Sequence, residues 1–198
     1  MARAVFGGTF DPVHLGHKAM VESALSQFDL SEILIVPNGN PPHKSHCGIT
    51  DFSHRYKMLE IAFQNNSKVG ISDYEANEDK PSYSVYTMRY FRETLGEDTY
   101  FILGADSLLT IHRWYDFKSL LKENKFIVFK RDGDEALNKA ISTYRNEGVE
   151  ILTSQMPKID ISSTDIRNSF KEGVLWEDAL HPDVVKYIIS NNLYGGSK

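Results

Sequence analysis

The chain has 198 residues, of which 41% are hydrophobic and 25% charged, a balance typical of a globular protein and not of a disordered one. The formal net charge is −5, so the whole chain offers no basic surface for nucleic acid, and an anionic ligand needs a local group of cations or N–H donors. Cys47 is the only cysteine, which excludes an intrachain disulfide and is typical of a reducing compartment.

The length of the chain and of its apolar runs also limits the number of domains and the cellular locations to be expected. No apolar run is long enough for a signal sequence or a membrane span, which predicts a cytoplasmic protein without a membrane partner. We expect one domain over residues 1–198, with a helical C-terminal portion from about residue 160 to residue 198.

Short β-rich runs alternate with longer amphipathic stretches along the chain. Strands are expected at 2–6, 32–36, 69–72, 100–103, 126–129 and 149–152. Helices are expected at 16–28, 84–95, 134–146, 163–171 and 182–191. A further helix is expected to begin after an N-cap at Asp51. This alternation predicts an α/β fold with a doubly wound, Rossmann-like parallel sheet, helices on both faces and a small helical C-terminal part. Ligands of such sheets bind beyond the carboxyl ends of the strands, where the loops after Phe6, Val36 and Leu103 are expected.

The segment 7–17 reads Gly-Gly-Thr-Phe-Asp-Pro-Val-His-Leu-Gly-His. Gly7 and Gly8 are expected to break the first strand and to let backbone N–H groups approach an anion before the coming helix. His14 and His17 are three apart, so on a helical turn they share a face and can both donate hydrogen bonds to phosphate oxygens or carry charge. A lone histidine would be interpreted as a surface or core residue, but this combination predicts a phosphate site.

The loop after the second predicted strand contains Pro-Pro-His-Lys. Lys44 is a mobile point charge suited to a phosphate, although alone it would be interpreted as a solvated lysine. His43, His46, Cys47 and His54 cluster nearby, but their spacing fits no standard zinc pattern.

Two later predicted element boundaries carry further candidates. Ser84 and Thr87 lie in the first turn of a predicted helix, where hydroxyl groups commonly cap. Gly104 ends a predicted strand, and Asp106 after it could accept hydrogen bonds from ribose or a base amine, or could N-cap a short helix. Trp114, judged by its chemistry alone, would be a core residue.

The segment 161–167 reads Ile-Ser-Ser-Thr-Asp-Ile-Arg. Ser162 with Asp165 three residues later is the pattern of a capping box. The alternative is an anion site, in which helix N–H groups, the hydroxyls of Ser162 and Thr164, and Arg167 converge on a phosphate chain.

Together these motifs resemble the signatures of the nucleotidylyltransferase superfamily. The first segment contains its His-x-Gly-His hallmark, and the last contains its second signature, Ser-Ser-Thr-x-Ile-Arg. The Phe-Asp-Pro triplet, Pro-Pro-His-Lys and the tryptophan at position 114 resemble the bacterial nicotinate-mononucleotide adenylyltransferases in particular. Ser84 departs from that family's Ser-Tyr-Thr, although a backbone donor survives the change.

The resemblance implies a nucleotidyltransferase that transfers the adenylyl group of ATP to nicotinate mononucleotide, giving nicotinate adenine dinucleotide and pyrophosphate, in NAD biosynthesis. It assigns catalysis to His14, His17, Lys44 and Arg167. It assigns ATP binding to Gly7, Gly8, Thr9, Phe10, His17, Gly104, Asp106, Ser162, Thr164 and Arg167. It assigns mononucleotide binding to Gly8, Lys44, Ser84, Thr87, Trp114 and Tyr115, with the indole stacked on the pyridine ring.

The implied chemistry needs positioning and charge neutralisation more than it needs a base. The attacking phosphate is already ionised at neutral pH, so no protein nucleophile is required. The expected cofactor is Mg²⁺, bound mainly through the substrate phosphates and not in a protein metal site.

Several alternatives stay open. A phosphopantetheine adenylyltransferase or a small cytidylyltransferase would share His-x-Gly-His, although Pro-Pro-His-Lys and Trp114 favour the nicotinate family. A non-catalytic nucleotide-binding sensor, or a metal-binding module built on the histidine-rich segment, would belong to another class. Side chains alone do not decide between nicotinate and nicotinamide mononucleotide, the order of substrate binding, or whether the chain forms a homo-oligomer.

Overall fold

The computed structural model describes residues 1–41, 48–77, 81–130, 134–155, 161–174 and 176–195. Within these ranges six parallel strands form one sheet. The strands are β1 (Ala2–Gly8), β2 (Leu30–Pro37), β3 (Val69–Ile71), β4 (Thr99–Gly104), β5 (Lys125–Lys130) and β6 (Ile151–Gln155).

The strand order is β3-β2-β1-β4-β5-β6, the doubly wound arrangement expected from the sequence. The direction of winding reverses between β1 and β4, which are neighbours in the sheet. Loops leaving the carboxyl ends of these two strands diverge to opposite faces and open a crevice, so a ligand site is expected there.

The helices cover both faces of the sheet. They are α1 (Leu15–Gln27), α2 (Phe52–Phe63), α3 (Ser84–Leu95), α4 (Ala105–Thr110), α5 (Phe117–Glu123), α6 (Glu135–Asn146), α7 (Ser163–Lys171) and α8 (Pro182–Ser190). Alternate strand residues point to opposite faces, so Ala4 and Phe6 pack with α1, α2, α7 and α8, whereas Val5 packs with the four middle helices. The C-terminal helices α7 and α8 therefore share a core with the helices that follow β1 and β2.

The structure differs from the sequence expectations in two places. The first strand does not break at the glycines, because Gly7 and Gly8 both stay in register with β2, opposite Val36 and Pro37. The helix α5 was not predicted, because seven residues are too few to display a helical hydrophobic period.

Candidate active site

The two motif histidines lie at the start of α1, directly beyond β1. His14 is the N-cap residue and His17 is the third residue of the helix. Their rings stack with centroids 3.7 Å apart, and the His14 backbone N–H donates to Nδ1 of His17 at 3.3 Å. Because Nδ1 of His17 accepts this bond, the neutral ring carries its proton on Nε2, which makes that atom a donor.

His14 is electrostatically different from an ordinary surface histidine. Its Nδ1 is buried and has no hydrogen-bond partner among the residues that the structure describes. Burial lowers the pKa of His14 to about 4, so the ring is uncharged at neutral pH. Of the two roles predicted for the histidines, hydrogen bonding to phosphate and carrying charge, only hydrogen bonding is open to His14 at neutral pH in the unliganded protein.

The C-terminal motif packs directly on the loop between β1 and α1, which we call the first loop (residues 9–14). The Ser163 hydroxyl donates to the Pro12 carbonyl at 2.9 Å, and Nη1 of Arg167 donates to the Asp11 carbonyl at 2.7 Å. Two motifs about 150 residues apart in sequence thus meet at one place. The first turn of α7 and the guanidinium group therefore contact the loop that leads into the histidine pair.

The capping interpretation of the C-terminal motif is also present in the structure. Ser162 is the N-cap of α7, and its Oγ accepts the backbone N–H of Asp165 at 3.1 Å and donates to the carboxylate of the same residue at 2.6 Å. Nη2 of Arg167 donates to Thr164 Oγ1 at 3.3 Å. The cap orders the first turn of α7, and an anion role for this turn stays a prediction.

A buried carboxylate in the first loop has a hydrogen-bond partner that was not predicted from the sequence. Asp11 is 3% exposed; its Oδ1 accepts the Tyr194 hydroxyl at 2.6 Å and its Oδ2 accepts the backbone N–H of Thr50 at 3.3 Å. Burial, and then the Asp11 charge, raise the pKa of Tyr194. The first loop is therefore held by Arg167 through a backbone carbonyl and by Tyr194 through a side chain.

A buried arginine, also missed from the sequence, connects the loops that leave β1 and β2. Arg55 on α2 is 0% exposed. Its Nη1 donates to the carbonyls of Thr9 at 2.9 Å and Asn38 at 2.7 Å, and its Nε donates to the carbonyl of Thr50 at 2.7 Å. The amphipathic pattern of α2 gave no reason to expect a charged residue inside the core.

A cavity of about 300 Å³ opens between the ends of β1 and β4 and the start of α3. It brings together every described residue that was assigned to the mononucleotide, with Gly7 and Thr9 from the ATP set. The lining residues are Gly7, Gly8, Thr9, Asn38, Pro41, Glu75, Ser82, Tyr83, Ser84, Thr87, Phe101, Ser107, Trp114 and Tyr115.

Aromatic side chains form one side of the cavity. Trp114 packs edge-on against Phe101, with centroids 6.4 Å apart, and remains half-buried. Tyr115 stacks on Tyr83 at 4.3 Å and is exposed. An indole that is packed on one side and open on the other can accept a flat ring, which a fully buried tryptophan could not do.

The structure gives a packing role to two of the predicted nucleotide contacts, Phe10 and Gly8. The Phe10 ring is 2% exposed and belongs to the core, so only its backbone can face a ligand. A Cβ at Gly8 would lie 2.9 Å from that ring, so Gly8 is required by the packing of Phe10 as well as by any approach of an anion.

The remaining assigned positions lie at the exit of β4. Gly104 is the N-cap of α4, so the interpretation of Asp106 as an N-cap is wrong; Asp106 is the second residue of the helix and is exposed. Neither residue lines the cavity, but Ser107 of the same turn does.

Some sequence predictions fall outside the described residues. These are the predictions for Lys44 and for three members of the histidine-rich cluster, His43, His46 and Cys47. His54 lies on α2, with Nδ1 2.9 Å from the Tyr187 hydroxyl. Over the part of the chain that the structure describes, no three His, Cys, Asp or Glu side chains group as metal ligands, and no helix is long and apolar enough to cross a bilayer.

The fold and sequence have relatives that cover nearly the whole chain. Residues 5–169 match the cytidylyltransferase-like family model. Proteins named "Probable nicotinate-nucleotide adenylyltransferase" from Clostridium tetani and Clostridium kluyveri are 37% and 39% identical; in both cases 97% of this chain and 98% of the relative are covered. The chain belongs to the nicotinate-nucleotide adenylyltransferase family.

Solved structures of the same family share the fold. The Plasmodium falciparum nicotinic acid mononucleotide adenylyltransferase complexed with NaAD superposes with a TM-score of 0.80 and 27% identity, covering 98% of each chain. The same enzyme complexed with APC gives 0.79 and 26%, covering 100% of this chain and 99% of that one. Nicotinate-nucleotide adenylyltransferases thus keep this Rossmann-like sheet at low sequence identity.

Proposed function

We propose that the chain transfers the adenylyl group of ATP to nicotinate mononucleotide, as one nucleotidyltransferase domain. The observation that carries the proposal is the meeting of both motifs on the first loop, beside a cavity lined by the predicted mononucleotide residues. The names of the relatives support the same substrate pair.

In the proposed reaction an oxygen of the 5′-phosphate of nicotinate mononucleotide attacks the α-phosphorus of ATP. The new P–O bond forms as the bond between the α-phosphorus and its bridging oxygen breaks, and pyrophosphate leaves with that oxygen and the bonding electrons. The chain's task is to hold the two anions in line and to stabilise the charge that develops on the leaving group.

The residues divide this task by position. His17, through Nε2, and His14 are proposed as phosphate donors, and Arg167 supplies a permanent charge at the start of α7. Lys44 is proposed as a further phosphate contact. Charge neutralisation on the phosphates is the chemistry that Mg²⁺ would supply when bound, and we assign its ligands mainly to the substrate phosphates, as is usual for this ion.

The second half of the site is proposed for the pyridine ring. Trp114 stacks on the ring, and the backbone N–H groups at the start of α3, near Ser84, receive the carboxylate. This arrangement predicts faster turnover with nicotinate than with nicotinamide mononucleotide, because the neutral amide gains less from the positive end of a helix.

The decisive experiment measures pyrophosphate release from ATP and Mg²⁺ with each mononucleotide in parallel. We expect release with both, and a higher kcat/KM with the nicotinate form. Faster reaction with the nicotinamide form would overturn the substrate assignment. Phosphopantetheine or CTP as the productive partner would favour the related transferases, and nucleotide binding without any turnover would favour the sensor.

Replacing Arg167 by alanine is expected to raise the KM for ATP by about 10-fold or more, because a charge-assisted contact to the phosphate chain is lost. The KM for the mononucleotide should change less. Lys171→Ala, an exposed cation on the same helix, is the matched control. An ATP dependence equal to that of the unchanged protein would remove Arg167 from the site.

A further inference from the structure

Glu75 is the one charged side chain among the described residues that line the cavity, and it is 8% exposed. It lies in the segment between β3 and α3. A buried negative group is unexpected at a position proposed for a ligand that carries both a phosphate and a carboxylate. Its presence therefore needs a reason in the chemistry of the ligand.

The Glu75 carboxylate is held in place by neutral donors. Oε2 accepts Nδ2 of Asn38 at 2.9 Å, and Oε1 accepts the hydroxyl of Thr87. The Glu75 backbone packs closely against Gly39. A Cβ at Gly39 would lie only 1.8 Å from the Glu75 carbonyl oxygen, so no larger residue fits there. The carboxylate is therefore already in position before a ligand binds.

Hydrogen bonds hold this carboxylate, but the described part of the chain supplies no ion-pair partner for it. Buried charges are costly unless another charge compensates them. The cavity that Glu75 lines is where such a compensating charge can enter, which predicts a cation in the ligand.

The proposed mononucleotide carries that cation. Its ring nitrogen is bonded to ribose, so the ring is a pyridinium with one positive charge. Trp114 lines the same cavity, and an indole face attracts a cation. The carboxylate of the ring is separately accounted for by the positive start of α3.

We propose that Glu75 is the counter-ion of the pyridinium ring, a specificity-determining residue that selects mononucleotides with a charged ring. The proposal rests on the proposed function for the identity of the ligand. The cavity then recognises a zwitterion: Glu75 and Trp114 contact the cationic ring, and the first turn of α3 contacts its carboxylate. Selection by ring charge is separate from selection between an acid and an amide, since nicotinate and nicotinamide mononucleotide are both pyridinium compounds.

The test compares nicotinate mononucleotide with its dihydropyridine form, which keeps the phosphate, ribose and carboxylate but has an uncharged ring. Binding of each to the full chain is measured by calorimetry, which does not require turnover. We expect the unchanged protein to bind the charged ring at least about 10-fold more tightly. Equal dissociation constants for the two rings would overturn the proposal without any variant.

Glu75→Gln removes the charge and keeps the size and shape of the side chain. Its amide oxygen can still accept from Asn38, and its NH₂ group can donate to the Thr87 hydroxyl, which has the Tyr83 carbonyl as its own acceptor. We expect the variant to weaken binding of the charged ring by about 10-fold, and to leave binding of the dihydro form and the KM for ATP nearly unchanged. Glu97→Gln, the same change at an exposed position, is the control for loss of a surface charge. Thermal unfolding of each variant confirms that the fold is retained.

The alternative role for Glu75 is to anchor Asn38 and Thr87 without contact to the ligand. In that case the variant would weaken binding of both rings equally, which would overturn the counter-ion role. Failure of the proposed function gives a different result, namely absence of pyrophosphate release from the unchanged protein, and it is read independently of the two dissociation constants.

Discussion

Replacing His17 by alanine is expected to lower kcat by about 10²–10³-fold, the cost of removing one fixed donor to charge that develops in a transition state. The free energy of unfolding should fall by only about 1 kcal/mol, the usual cost of losing a cap-like bond such as the one that Nδ1 of His17 accepts from the His14 backbone N–H. The loss therefore belongs to the reaction and not to folding.

The structure makes this prediction specific to one atom. Nδ1 of His17 is occupied by the bond from His14, so Nε2 is the proposed donor to phosphate. His17→Gln can place an amide N–H close to the position of Nε2 and should recover part of the lost turnover, whereas alanine cannot. Single-turnover rates at saturating ATP and mononucleotide separate this effect from binding.

Normal turnover in His17→Ala would end the assignment of this residue. Equal losses in the alanine and glutamine variants would indicate that the ring acts through packing, since it also lies edge-on to Phe10 at 4.9 Å. His14 is a different case: its low pKa keeps it neutral, so it can contribute a hydrogen bond at neutral pH but no charge. Arg167, which donates to the Asp11 carbonyl, supplies a permanent positive charge at the first loop.

The features that could be predicted from the sequence are those that depend on short-range patterns of neighbouring residues. Alternation of β-rich and amphipathic runs predicted the sheet. Glycine, histidine and hydroxyl motifs at strand exits predicted candidate phosphate contacts, and this role stays a prediction. The loops after Phe6, Val36 and Leu103 were expected at one edge of the sheet, because the carboxyl ends of parallel strands share that edge. The described residues assigned to the mononucleotide all line one cavity for the same reason.

The features that could not be predicted depend on partners far away in sequence. Tyr194 bonds Asp11 across 183 positions, and nothing near either residue indicates the other. Glu75 was not singled out, because a single glutamate in a predicted loop is normally solvated and only the tertiary fold buries it. Phe10 was placed at the ligand, but its ring fills the core beneath the strand.

Arg55 is another residue whose partners could not be predicted from the sequence, and its replacement is expected to have the largest effect on the free energy of unfolding. Its guanidinium group donates to the carbonyls of Thr9, Asn38 and Thr50, which come from three separate loop positions. Buried carbonyls without a donor each cost about 1–3 kcal/mol, and truncation would also leave a cavity where the side chain now packs. A charged group persists in this core because its hydrogen bonds fix the loops that surround the proposed site.

Arg55→Ala is therefore expected to lower the free energy of unfolding by about 3 kcal/mol or more, measured by urea denaturation. Arg113→Ala, an exposed arginine, should change it by no more than about 0.5 kcal/mol. Because Arg55 joins the loop after β1 to the loop after β2, the protein that remains folded should also bind both substrates more weakly, and saturating substrates should recover part of the stability through their preference for the native state. A decrease in the free energy of unfolding below about 1 kcal/mol would mean that water molecules satisfy the three carbonyls as well as the guanidinium group does. The strands alone would then determine the positions of the loops.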